Sequence, residues 1–243
     1  MRRNSLWILL FFLATAVFFA PVVFSDKTFI ARDNYIFYNP RQFFVAEAIR
    51  SGNLPLWNPY SACGVPCQAS VQSSLWYPLS LLYYLLPFQT GFKYYITLHY
   101  FLGALFMFLL MRAWSASRQA AFIAGLVFAF GGYLVSINDN VAFLTASIWT
   151  PLILLSCHYL LEKKSLRIVL LTAAAIAMQI FAGDASFYLL SSLAATSLYL
   201  LWRLTIQKHH RLFTITKTLL CFLGSWLMGF LIASFSIAIC IPI

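Results

Sequence analysis

The chain of 243 residues is 62% hydrophobic and only 9% charged. Soluble domains carry roughly 25% charged residues, so a soluble globular domain is excluded. The net charge of +10 does not point to nucleic acid, because the bases lie in short segments between apolar runs instead of clustering on a polar domain. Those runs come close to the ~20 residues that cross a bilayer. The composition therefore predicts an all-α polytopic membrane protein: a single membrane domain over residues 1–243, with the lipid bilayer as partner and no nucleic acid.

In chain order, Met1-Arg2-Arg3 leads into an apolar run over 6–24. The run exceeds a signal-peptide core, and Pro21 follows Ala20 where cleavage would fall, so it reads as an uncleaved first span. A large hydrophilic loop over 25–74 comes next. Its middle predicts an amphipathic helix, with Asn39 as N-cap, Pro40 at the first helical position and Gly52 just past the end. Phe43, Phe44, Ala48 and Ile49 give it an apolar surface and Arg41, Glu47 and Arg50 a polar one, which suits the membrane surface or the side of the bundle. In "NLPLWNPY", Pro55 and Pro59 impose extended or turn backbone, while Trp57 and Tyr60 are amphipathic rings suited to the headgroup level. Gly52, Gly64, Asn53, Asn58 and the prolines at 55, 59 and 66 specify a more defined shape than a passive anchor needs.

Residues 75–88 are apolar but short, with Pro78 and Pro87 near the ends, and read as an interfacial or re-entrant segment. Six further spans are expected at 92–111, 120–137, 142–161, 168–182, 186–202 and 218–241, giving about seven. With 75–88 not crossing and the N-terminus inside, eleven of the sixteen bases face inward: Arg2, Arg3, Arg112, Arg118, Lys163, Lys164, Arg167, Arg203, Lys208, Arg211 and Lys217. A crossing at 75–88 would turn nine of them outward, against the positive-inside rule. In the same topology Asp26, Asp33, Glu47, Asp139 and Asp184 fall on the outer side and only Glu162 inside, a bias that orientation does not require.

The spacing of Cys63 and Cys67 in the outer loop leaves a disulfide open, and no nearby His or further Cys completes a four-ligand metal site. Cys157, Cys221 and Cys240 read as packing residues within spans. His99, also within a span, reads as a neutral imidazole bonded to a neighbouring helix.

The pattern Asp33, Tyr38, Arg41, Phe44, then "SGNLPLWNPYSACGVP" and "QSSLWYPLSLLYYLLP", resembles the YfhO-type bacterial membrane proteins, of the wider GT-C class of polytopic glycosyltransferases. The likeness continues through "AAFIAGLVFAFGGYLVS" and "WTPLILL", and "G-x-LPLWNPY-x3-G-x-P" is its most specific part. "IFAGDASFY" departs from the Gly-His-Pro-Gln-like motif expected there, which weakens any role for Asp184.

The resemblance implies a multi-pass protein of the bacterial cytoplasmic membrane that moves a sugar from a polyprenyl-phosphate carrier to an extracytoplasmic cell-envelope acceptor. An acceptor hydroxyl must lose a proton as it attacks the anomeric carbon, and a carboxylate is a suitable base. The family's key acid lies in the first outer loop, where this chain has Asp33. Lipid phosphate, the leaving group, calls for cationic donors, for which Arg41 is the first candidate and Arg32, Arg50 and Lys93 follow. Tyr38, Trp57, Asn58, Tyr60 and Gln72 would shape the wall beside the carrier headgroup. The residues assign no definite cofactor, and a divalent metal held by Asp33 with Asp139 or Asp184 stays open. The competing readings are a flippase for a lipid-linked substrate, disfavoured by few intramembrane charges and no repeat, and a nonenzymatic scaffold. The family's chains are longer, so this one reads as an N-terminal portion or truncated product, which makes activity in isolation doubtful.

Overall fold

The computed structural model describes residues 2–67, 70–183, 186–206 and 212–238. In a bilayer no water pairs with backbone N–H and C=O groups, so each segment must satisfy its own, and helices do so. The helices run α1 Arg2–Phe18, α2 Ala20–Val23, α3 Asn39–Arg50, α4 Leu81–Leu85, α5 Phe88–Ala113 and α6 Arg118–Phe130. They continue with α7 Gly132–Ser136, α8 Val141–Ser147, α9 Trp149–Lys163, α10 Leu166–Phe181, α11 Phe187–Ile206 and α12 Leu212–Ala238.

Among the described residues, five stretches are long and apolar enough to cross a membrane: Phe88–Ala113, Arg118–Ser136, Val141–Lys163, Phe187–Ile206 and Ile215–Ser234. Ser5–Phe18 and Leu166–Phe181 are apolar but shorter. The chain is thus a helical membrane protein. Residues 239–241 of the last predicted run, Cys240 among them, lie outside the described residues.

Helix α5 is the hub, packed against α1, α4, α6 and α9, while α10 lies between α9 and α12. Its buried face is aromatic. Phe92 and Tyr95 are wholly buried, and Tyr83 of α4 stacks on them, its ring centroid 4.5 Å from that of Tyr95. Gly91 makes this approach possible. A side chain there would run into the Leu82 carbonyl oxygen and lie 3.1 Å from the Tyr83 Cα. No spanning helix forms over 75–88: the segment holds a 3-10 turn, Pro78–Ser80, and the five residues of α4.

Hydroxyls within the apolar helices turn back on their own backbone. Thr15, Thr97, Thr172 and Thr196 each donate to the carbonyl four residues earlier. That gives each hydroxyl a partner that hydrocarbon could not supply. Gln179 instead joins helices. Its side chain is wholly buried, and its amide nitrogen shares two N–H donors among the Ala146 carbonyl at 3.0 Å, Ser192 Oγ at 3.0 Å and Thr150 Oγ1 at 3.2 Å, tying α10 to α8, α9 and α11. Such contacts contribute about 1 kcal/mol in membranes. Gln179→Leu is expected to destabilise the detergent-solubilised protein by that order, read as a lower thermal midpoint with unchanged helix content; an unchanged midpoint would show the clasp to be idle.

The helix predicted to begin at an Asn39 cap begins differently. A π-helical turn, Asn34–Tyr38, runs directly into α3, and Asn39 has helical φ/ψ of −61° and −51°. Its N–H donates to the Asn34 carbonyl, five residues back, and its side chain faces Gln89 at 3.3 Å. Asn39 is therefore not an N-cap. The reason lies in Pro40, which has no N–H to give the preceding turn; the wider π turn accommodates that missing bond. The expected end holds: Gly52 has φ +76°, beyond Arg50.

Candidate functional site

Four loop segments meet at one end of the bundle. The turn over 31–38 is pinned to the loop between α7 and α8: Asn34 Nδ2 donates to the Asn138 carbonyl at 3.0 Å, and Tyr38 Oη donates to Asn140 Oδ1 at 2.6 Å. Asn140 also caps α8 by accepting from the Phe143 N–H at 3.1 Å. On the other flank, Gln42 donates to the Gln72 carbonyl at 3.2 Å, and Arg41 donates to Ser70 Oγ. Ser74 Oγ then donates to the Ala182 carbonyl at 3.1 Å, and Thr145 Oγ1 donates to the same oxygen at 2.7 Å. The seam brings together loops that the charge pattern assigns to one side.

Asp33 sits on this seam, exposed, at the start of the π turn. It occupies the position from which a carboxylate could cap the turn, yet makes no capping bond. Among the described residues its carboxylate has no hydrogen-bond or ion-pair partner. Arg32, its neighbour, adopts φ +46°, a strained conformation for a residue with a side chain. The Arg32 guanidinium reaches Asp139 Oδ2 at 3.3 Å, from a side chain that is 82% exposed to one that is 18% exposed. The stretch Asn138-Asp139-Asn140 is thus part of the site although only Asp139 drew notice in the sequence. The readable signal was three successive polar residues between apolar runs.

The predicted phosphate ligands separate. Arg41 is half-buried, stacked 4.5 Å over the Phe37 ring. Burial lowers its pKa from the usual guanidinium value, while Cys67 and Tyr38 pull the other way. One bond to Ser70 leaves most of its donors uncommitted. Arg50 is spent on structure: it caps the end of α4 through the carbonyls of Tyr83 at 2.6 Å, Tyr84 at 3.2 Å and Leu86, and pairs with Glu47 at 2.8 Å. Lys93 donates to the Val22 and Ser25 carbonyls at the end of α2. Asp184 lies outside the described residues. Among the described residues no three His, Cys, Asp or Glu side chains gather as a metal site.

The proline-aromatic stretch forms a small hairpin, with Trp57 opposite Pro66 and Asn58 opposite Val65. Asn58 is buried and builds the turn: its Oδ1 accepts from the Tyr60 N–H at 2.9 Å, and its Nδ2 donates to Ser61 Oγ at 3.3 Å. The chain then returns through left-handed residues Ala62, Cys63 and Gly64. Gly64, at φ +109°, lies beneath Trp57, and a Cβ there would sit 2.5 Å from the indole. Gly64→Ala is expected to destabilise the hairpin by about 1–3 kcal/mol, read as faster hydrogen exchange confined to 53–67; unchanged exchange would refute this packing. Cys63 is exposed and Cys67 buried, both as free thiols.

Between the hairpin and α3 runs an open groove of about 720 Å³, lined by Phe43, Phe44, Leu54, Leu56, Trp57 and Tyr60 among others. Tyr60 is 85% exposed and Trp57 56%, so both rings present apolar surface outward. Asp33 is not among the groove's lining residues.

Beneath the seam, His99 is wholly buried. Its Nδ1 lies 2.6 Å from the Tyr95 carbonyl, which only accepts, so Nδ1 carries the proton. Nε2 then accepts from Tyr77 Oη at 2.9 Å, and Tyr77 Oη accepts from the Trp149 indole N–H at 3.0 Å. The chain of bonds is complete with a neutral imidazole, linking the 75–88 segment to α5 and α9. Comparison with protein-family models, with curated proteins and with solved structures finds no match in any of the three.

Proposed function

We propose that the chain is a GT-C-type membrane glycosyltransferase of the YfhO kind, with seven spans, its N-terminus in the bacterial cytoplasm and its site outside. It moves a sugar from a polyprenyl-phosphate carrier to a cell-envelope acceptor. The observation that carries the reading is the exposed Asp33 carboxylate, without a partner among the described residues, on a strained turn clamped at the end of the bundle. A proton acceptor serves best when its lone pairs are not already engaged and its backbone is fixed.

In the proposed step an acceptor hydroxyl gives its proton to Asp33 while its oxygen bonds to the anomeric carbon. The bond from that carbon to the lipid phosphate breaks, and the phosphate leaves with the electron pair. Arg41, with donors to spare, meets that charge. Arg32, drawn to Asp139, keeps the turn oriented, whereas Arg50 serves the fold alone. Trp57 and Tyr60 line the groove that receives the carrier's apolar part at the membrane boundary. The test is transfer of labelled sugar from a polyprenyl-phosphate donor to envelope acceptor in membranes holding the wild-type chain or Asp33→Asn at equal expression. Transfer by wild type and a fall of at least about 10²-fold in the variant is expected; equal transfer by both would remove Asp33 from the chemistry.

A further inference from the structure

A second cavity, of about 610 Å³, opens on the side of the bundle between α1 and α5. Phe12, Thr15 and Ala16 line one wall, and Tyr94, Leu98 and Phe101 much of the other. Thr15 and Thr97, which also line it, spend their hydroxyls on the Phe11 and Lys93 carbonyls, so the lining is apolar in effect. Both walls belong to apolar helices, so the cleft faces hydrocarbon and has room for a length of one lipid chain.

Beside Val23 and Tyr94, which line the cleft, stands a cation that is not itself a lining residue. Lys93 is only 8% exposed. Its ammonium donates to the Val22 and Ser25 carbonyls, at 3.2 Å and 2.6 Å, and lies 5.4 Å from the Tyr94 ring centroid. An ammonium has three N–H donors, so one remains beyond those two bonds. Among the described residues no carboxylate lies within ion-pair distance of it. A charge so far withdrawn from water is costly without a counter-ion. Two carbonyl dipoles and a ring face offset part of that cost, and an anion would offset the rest.

We propose that the α1–α5 cleft binds an anionic phospholipid of the surrounding bilayer, one acyl chain in the cleft and the headgroup phosphate on Lys93. The site is independent of the glycosyltransferase reading, since it uses neither Asp33 nor the groove beside α3.

The full chain, reconstituted in vesicles of phosphatidylcholine with a minor fraction of phosphatidylglycerol, is exposed to probes of either lipid carrying a diazirine on one chain. Cross-links on 12–16 and 94–101 are expected, with phosphatidylglycerol favoured about fivefold, the worth of one lysine near an anionic headgroup. Lys93→Met should bring the two lipids to parity and Lys93→Arg should keep the preference. Ala16→Trp, which fills the cleft and leaves Lys93 in place, should remove cross-links from both lipids, and Asp33→Asn, though it lowers transfer, should leave the cross-linking pattern as in the wild type. Equal labelling of the wild type by the two probes, or cleft labelling that survives Ala16→Trp, would overturn the proposal even if Lys93→Met failed to fold.

Discussion

Asp33→Asn is expected to reduce sugar transfer by about 10²–10⁴-fold, the usual worth of a positioned general base. Insertion and folding should be normal. The side chain is exposed and caps nothing, so its replacement by an isosteric amide removes no contact among the described residues. Asn keeps the shape and loses the ability to take a proton. Asp139→Asn provides the contrast. It weakens the hold on Arg32, an exposed pair whose loss costs at most about 1 kcal/mol. Transfer should then fall far less than with Asp33→Asn. If the order were reversed, Asp139 and not Asp33 would be the base. The readout is initial rate at saturating donor, with protein quantified in the same membranes.

Cys63 gives the second large effect. A membrane-impermeant maleimide added to intact cells is expected to label Cys63 and to spare Cys67, although only GVP separates them. Cys63 is exposed on the hairpin turn, whereas Cys67 is 1% exposed in a cluster with Val45 and Leu75. Burial also pushes the Cys67 thiol up, with Arg41 pulling it down less strongly, so little of it is the reactive thiolate near neutral pH. Cys63→Ser should abolish the loop's labelling and Cys67→Ser should leave it intact. Labelling of Cys63 only in inverted vesicles would put Asp33 on the cytosolic face, and the proposed transfer from an outward-facing carrier would fall with it.

Parts of the site were legible in residue order and parts were not. The prolines and glycines of 51–66 announced a defined turn, and the structure forms a hairpin there, because such residues restrict backbone angles wherever they stand. Their partners were not legible. Asn58 reads as a wall residue and instead builds its own turn; Arg50 reads as a phosphate ligand and instead caps α4. Donors and acceptors are interchangeable in sequence, and only the folded path decides which carbonyl lies within 3 Å. Asn39 failed as a cap for a related reason: the prediction considered the cap and Pro40, but not the π turn that Pro40 requires upstream.

The sequence by itself determined the solvent and the kind of fold. Long apolar runs require a bilayer, and a bilayer requires helices, because unpaired backbone is too costly in hydrocarbon. It also placed the polar loop before α5 and the punctuation within that loop. Only the tertiary structure decided that the 31–38 turn leans on Asn138 and Asn140, about a hundred positions away, and that Lys93 is buried against Val22 and Ser25. Those contacts join segments whose separation along the chain exceeds any periodicity. They are set by which helices pack side by side, a choice made by side-chain shape across the whole bundle.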